Sequence, residues 1–253
     1  MGQQEYFEMQ YRSAFRELPL DREPTCEHFR QAIVKTPVDS RKRLQLTISY
    51  GALARFLGMD CELNRFKGSY SGPEKRNLPE DQKLIEFREE LLDRTIGLRK
   101  AFELIALYGL RPHEIFKLDF SDFHQDGYPL KVLEDTKTGY RVAFPLPAAW
   151  ADKWDVGQNL ALPRPRRSLK GLSNRQRGQL ISSFFNYQKI SHGWDITPTV
   201  MRDMYAIRGA RLGADSGDVA RWMGHSLTVH MNKYMVHIGQ KDDQAIWSRL
   251  PRI

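Results

Sequence analysis

The stretch YGLRPHEIFKL, residues 108–118, places a permanent charge where a helix stops. An apolar run ends on Gly109, Arg111 follows, and Pro112 fits the first position of a new helix, where its missing N–H costs nothing. A cation there sits among unpaired N–H groups at the positive end of a helix dipole, which is unfavourable unless an anion joins it. Phosphate is an anion whose geometry a guanidinium fork matches. Four later residues have types suited to a phosphate ester: Lys137 in TKTG, Arg202 in TVMRDMYAIRG, His225 in WMGHS and Tyr234 nine residues on. Each has an ordinary reading when taken alone. Lys137 is a solvated turn lysine, and His225 is a loop histidine ahead of the cap-type Ser226. Arg202, with Ala206 and Gly209 on its face, fits a salt bridge, and Tyr234 shares a helical face with Leu227, Met231 and Ile238 as a core aromatic would. A zinc reading of His225, His230 and His237 lacks a cysteine or carboxylate partner in recognised spacing, so no metal and no cofactor are expected.

The elements that must position these residues read mainly as helices. Thr25 caps CEHFRQAIV and Pro37 stops it. Ser40 caps RKRLQLTISYGALARFL, with Leu44, Ile48, Ala52 and Phe56 at steps of four and Gly58 as the stop. The Gly, Ser, Pro and charge-rich KGSYSGPEKRNLPED, residues 67–81, is the best domain boundary. A long helical pattern then runs from about Asp81 to Tyr108. LKVLEDTKTGYRVAFPL, residues 130–146, predicts a β-hairpin, with Val132, Leu133, Tyr140, Val142 and Phe144 as strand residues and Thr136 to Gly139 as the turn. From Arg177 the pattern is helical to nearly the end. The expected fold class is mainly α with a small antiparallel β-sheet.

Composition narrows the partners. Among 253 residues, 39 Lys and Arg face 31 Asp and Glu, a formal charge of +8 that favours polyanions. PRPRRSLKGLSNRQRG, residues 163–178, holds Arg164, Arg166, Arg167, Lys170, Arg175 and Arg177 with no acid between them. It is either a solvated loop or, beside a phosphate site, an electrostatic clamp. Arg41, Lys42 and Arg43 at the start of the second helix are candidates for DNA phosphate contacts, with a solvated helix end as the competing reading. No apolar run approaches the roughly 20 residues of a membrane span. The MGQQEYFEMQ start has no apolar h-region, and Cys26 and Cys61 have no metal-like spacing, which suits a reducing cytoplasm.

Four segments together resemble the catalytic domain of the tyrosine site-specific recombinases, the phage-integrase family. YGLRPHEIFKLDFSDF resembles its first arginine box, TKTGYRVAFPLP its lysine hairpin, TPTVMRDMYAIRGARLG its second arginine box and VARWMGHSLTVHMNKYMVH its histidine-and-tyrosine box. The resemblance covers roughly residues 80–240. It implies that Tyr234 attacks the scissile phosphate and forms a 3′-phosphotyrosyl linkage. It further implies that Arg111 and Arg202 grip the non-bridging oxygens and that Lys137 protonates the departing 5′-oxygen. His225 then supports the phosphate by hydrogen bonding or by proton transfer with the tyrosine.

The implied organisation is a partial or abbreviated helical core-binding domain over 1–67, a linker over 68–80 and a catalytic domain with a C-terminal tail over 81–253. The implied partner is double-stranded DNA in the cytoplasm, held by a homotetramer that is a monomer or weak oligomer without DNA. Trp247 and Leu250 either anchor a neighbouring subunit or fold back onto their own chain. Two positions depart from the family: Thr199 stands where His or Lys is usual, and Asp203 stands where a His commonly follows the arginine. Threonine donates a hydrogen bond but supplies no proton near neutral pH. Asp203 either repels DNA or orients Arg202. The alternatives to a recombinase are a DNA-binding protein on the same scaffold with impaired cleavage, and supercoil relaxation of the type IB topoisomerase kind.

Overall fold

The computed structural model describes residues 11–12, 14–19, 21–70, 78–91, 96–133, 139–157 and 168–248. The chain divides into two compact units, Met1–Glu74 and Lys75–Ile253.

In the first unit, α1 (Cys26–Val34) begins at Thr25, whose side chain accepts from the His28 N–H while its own N–H donates to the His28 ring. Ser40 caps α2 (Arg41–Phe56) by accepting from the Arg43 N–H at 3.1 Å. The stripe expected at Leu44, Ile48, Ala52 and Phe56 is not the buried one, since Ile48 and Phe56 are exposed. The core instead takes Leu46, Tyr50 and Ala54, because Tyr50 stacks on Phe29 at 5.2 Å and donates its hydroxyl to the Ala14 carbonyl at 2.7 Å. A short 3-10 helix, Leu63–Phe66, completes the described part. Cys26 and Cys61 are joined as a disulfide, against the free thiols a reducing compartment implies. The start of α1 and the segment ahead of the 3-10 helix bring their Cα atoms to 5.2 Å, a proximity that spacing in the chain does not announce.

In the second unit the pattern expected as one helix from Asp81 to Tyr108 forms two, α3 (Asp81–Glu90) and α4 (Ile96–Tyr108). α3 closes at its C-cap Leu91, and residues 92–95 lie outside the described set. From Ala101 to Tyr108 every residue of α4 is buried, so this helix forms the centre of the unit. A three-stranded antiparallel sheet in the order β1 (Leu118–Asp119), β2 (Leu130–Val132), β3 (Arg141–Ala143) follows. Its register sets Leu118 opposite Val132 and Val132 opposite Arg141.

The hairpin expected from sequence is therefore present, with one further strand ahead of it. In β3 Arg141 and Ala143 are buried, while Tyr140, expected as a strand residue, lies exposed ahead of it. The remaining helices are α5 (Ala148–Lys153), α6 (Asn174–His192), α7 (Pro198–Arg211), α8 (Ser216–Met223), α9 (Leu227–Tyr234) and α10 (Gln240–Trp247). Phe87, Phe102, Phe185 and Trp194 form an aromatic centre for α3, α4 and α6, with Phe87 and Trp194 at 4.3 Å. Arg208 of α7 ties the start of α3 through Asp81 at 2.7 Å.

Candidate active site

Gly109 sits in the left-handed region at φ +60°, which ends α4 and turns its carbonyl toward α7. A Cβ at this position would lie 2.5 Å from the ring of buried Tyr205. Arg111 then begins a five-residue 3-10 turn, Pro112–Phe116, and not the α-helix expected. The anion that answers its charge is internal. Glu114 is fully buried, accepts the Arg111 N–H at 2.7 Å and accepts Arg111 Nη1 at 2.9 Å. An acid three residues after the cap is the spacing of a capping box, so RPHE carried this signal.

Arg141 closes the same carboxylate from the other side, at 3.0 and 2.7 Å. A cation facing inward on β3 breaks strand alternation, and Glu114 explains it, because a buried carboxylate needs a paired charge. Burial alone pushes the Glu114 carboxyl up. The hydrogen bond and charge of Arg141, with Arg202 and Arg111 beyond, outweigh burial and hold it at about 2.

α7 starts at Thr197, which accepts from the Val200 N–H at 3.2 Å, and carries Arg202 one turn in. Arg202 is buried and donates to the carbonyls of Gly109 and Met223. Arg111 donates to the Gly224 carbonyl at 2.8 Å and to that of Met223 at 3.5 Å, and Arg141 Nε donates to the Trp222 carbonyl at 2.8 Å. Three guanidiniums thus take the last carbonyls of α8, groups that have no partner inside the helix and lie at its negative end. Burial, then the neighbouring Arg111, pulls the Arg202 pKa down to about 10, so it stays charged at neutral pH. Arg111 is the most open of the three, its side chain 23% exposed against 5% for Arg141.

Gly224 closes α8 at φ +68°, His225 follows, and Ser226 caps α9 by accepting from the Val229 N–H at 3.3 Å. This turn packs the His225 ring 5.4 Å from that of Tyr234, with His230 5.1 Å from the same ring. Tyr234 is 1% exposed, whereas Leu227 and Met231 of its expected apolar face are exposed. Burial, then the charge of Arg202, lowers the His225 pKa to about 4, and the same two causes lower that of His230. Both imidazoles are therefore neutral near pH 7. His225 Nε2 and His230 Nδ1 are buried without a hydrogen-bond partner among the described residues.

Asp203 meets Lys233 at 2.8 Å, and Lys233 Nζ lies 3.2 Å from the Tyr234 hydroxyl. Sequence reasoning passed over Glu114, Arg141 and Lys233, and weighed His230 only as a zinc ligand.

Of the residues expected to act together, Arg111 and Arg202 meet at one carbonyl, and His225 and Tyr234 stack beside them. Thr199 is exposed on the first turn of α7. Lys137, Arg164, Arg166 and Arg167 lie outside the described residues. Lys170 and Arg175 are exposed, and Arg177 is half-buried and donates to the Leu169 carbonyl at 3.4 Å.

In the first unit Arg41 is exposed, Lys42 pairs with Glu17 at 3.4 Å and Arg43 donates to the Val34 carbonyl at the end of α1 at 3.1 Å. Trp247 is exposed on α10, and Leu250 lies outside the described residues. Among the described residues no His, Cys, Asp and Glu cluster could hold a metal ion, and no helix is long and apolar enough to cross a membrane.

Residues 2–67 match the family described as the XisA/XisC excisase second domain. The chain is similar to Excisase A of Nostoc sp. (strain PCC 7120), 28% identical over 184 residues that make up 63% of this chain and 38% of that protein. It is also similar to Excisase C of the same organism, 23% identical over 244 residues, 88% of this chain and 48% of the relative. The chain thus spans less than half the length of these curated relatives.

Among solved structures, lambda integrase bound to DNA superposes with a TM-score of 0.62 at 15% identity, covering 99% of this chain and 93% of that one. The Tn1549 transposon integrase with circular intermediate DNA gives 0.56 at 15% identity, covering 99% and 95%. XerA recombinase gives 0.51 at 15% identity, covering 98% and 92%. The fold is that of the tyrosine recombinases, mainly helical with one small antiparallel sheet.

Proposed function

We propose that the chain is a site-specific DNA recombinase that cuts and rejoins duplex DNA through a 3′-phosphotyrosyl intermediate, in the excision or integration of a mobile element. The observation that carries this reading is the meeting of Arg111 and Arg202 on the end of α8, directly ahead of the stacked His225 and Tyr234. Two buried or half-buried guanidiniums held by carbonyls cannot turn away from an incoming phosphate, so little reorganisation is needed as charge builds on its oxygens. The Tyr234 oxygen bonds to phosphorus and the bond from phosphorus to the 5′-oxygen breaks. The phenol proton passes to neutral His225, whose Nε2 is free to accept it among the described residues, and the 5′-oxygen takes a proton from Lys137. Rejoining reverses each transfer.

Residues 1–67 serve as a DNA-binding domain in this reading, and the basic segment around Lys170 and Arg175 lies against backbone phosphates. Double-stranded DNA is the partner, and a homotetramer on two sites is the working assembly. A second reading, DNA binding without cleavage, draws on the burial of Tyr234, on Thr199 and on Asp203. Incubation with nicked duplexes carrying the DNA ends that flank the gene separates the two. A covalent adduct supports the first, and salt-dependent binding with no adduct supports the second.

A further inference from the structure

We propose that Lys233, held in place by Asp203, is a further catalytic residue of the strand-exchange chemistry, donating a hydrogen bond to the Tyr234 oxygen while that oxygen carries negative charge. The inference rests on Tyr234 being the nucleophile.

Three observations bring these groups together. Lys233 Nζ is 2.8 Å from Asp203 Oδ1 and 3.2 Å from the Tyr234 hydroxyl, and it stands 4.5 Å from the centre of the same ring. Asp203 is 2% exposed, on α7 directly after Arg202, while Lys233 comes from α9 directly before Tyr234. The pair therefore links the helix that carries an arginine of the phosphate site to the helix that carries the nucleophile. An exposed ion pair would contribute little, but this carboxylate is buried and, by accepting from Lys233 Nζ, fixes one of its ammonium protons. Lys233 Nζ also donates to the phenol oxygen, and its side chain as a whole is 37% exposed.

Asp203 consequently does not face DNA as an unpaired acid. Its charge is answered by Lys233, and its position sets where the ammonium lies. In the cutting step the phenol proton goes to His225, and the Tyr234 oxygen bonds to phosphorus as the bond from phosphorus to the 5′-oxygen breaks. That oxygen takes a proton from Lys137, and Lys233 keeps all of its protons. In rejoining, the 5′-hydroxyl gives its proton to Lys137 and attacks phosphorus, the tyrosyl oxygen leaves with the electron pair, and the Lys233 hydrogen bond stabilises that phenolate until His225 returns the proton. A charged donor beside an oxygen whose charge changes along the reaction acts on the transition state more than on the ground state. Asp203 is a positioning residue and Lys233 touches the reacting atom.

The test uses the full chain and single-turnover adduct formation on a nicked duplex carrying the ends that flank the gene. Lys233→Met is expected to slow the adduct by roughly 10²-fold, Lys233→Arg to stay within roughly tenfold of the parent, and Asp203→Asn to slow it by roughly tenfold. The unfolding midpoint of Lys233→Met should fall, because buried Asp203 loses its counter-charge, so rates are read well below that midpoint. There DNA retention should match the parent, and a purely structural role would predict neither a slowed reaction nor its rescue by arginine. If Lys233→Met loses its cooperative transition, Lys233→Gln is read by the same criterion. Adduct formation at the parent rate in the uncharged variant overturns the role of Lys233 and leaves Tyr234 as nucleophile. So does an arginine variant as slow as the methionine one. A parent chain that forms no adduct overturns the recombinase reading and this inference with it.

Discussion

Arg111 and Arg202 donate to one acceptor, the main-chain carbonyl of Met223 at the end of α8. Like charges are brought side by side because a helix C-terminus offers unpaired oxygens and the negative end of a dipole. Glu114, bonded to Arg111 and Arg141, balances part of the remaining charge from below. What is left is a cationic surface with Arg111 outermost, suited to an anion with several oxygens.

Replacing either guanidinium should therefore damage chemistry more than folding where the residue is open. Arg111→Lys keeps the charge but loses the fork, and adduct formation on nicked duplex should fall by roughly 10²-fold with DNA retention little changed. Single-turnover gels against filter-binding measurements check the split.

Glu114→Gln should destabilise the second unit by about 3 kcal/mol, because buried Arg141 and part-buried Arg111 lose this counter-charge. Urea unfolding measures it. The same carboxylate shapes the acid limb of the parent. Its folded pKa, about 2, lies below the ordinary 4.5, so its stabilisation is complete above pH 4.5 and is lost as pH falls toward 2. In Glu114→Gln that part of the acid limb should disappear.

His225 acts in the same direction at higher pH. Its folded pKa, about 4, lies below the unfolded value of 6.5, so the unfolded chain takes the proton first. Stability should be full above pH 6.5 and decline as pH falls toward 4, with His113 and His230, also lowered by burial, adding to the slope. Unfolding midpoints at closely spaced pH values should show a shallower decline in His225→Gln.

Gly109→Ala should cost about 2–4 kcal/mol. The left-handed backbone disfavours any side chain, and the added methyl meets Tyr205 at 2.5 Å. Since the Gly109 carbonyl also holds Arg202, adduct formation should fall together with the melting temperature.

Much of this arrangement was legible in the chain. Thr25 and Ser40 as caps, the hairpin and the mainly helical plan each follow from local chemistry that the fold keeps. The proximity of Arg111, Arg202, His225 and Tyr234 came from the joint pattern and from no single residue. The losses share a cause, which is that they depend on partners distant in sequence. Arg141 faces inward only because Glu114 is there, α2 buries Tyr50 because Phe29 and Ala14 await it, and Cys61 finds Cys26 through folding. Lys233 reads as a solvated lysine until α7 brings Asp203 beside it.

The central claim is that the Tyr234 oxygen forms the covalent bond to DNA. The direct measurement is trapping on a nicked duplex carrying the ends that flank the gene, followed by proteolysis and mass spectrometry of the DNA-linked peptide. An adduct is expected on the peptide containing Tyr234 and should be absent in Tyr234→Phe. An adduct that persists in Tyr234→Phe, or one mapped to another residue, contradicts it.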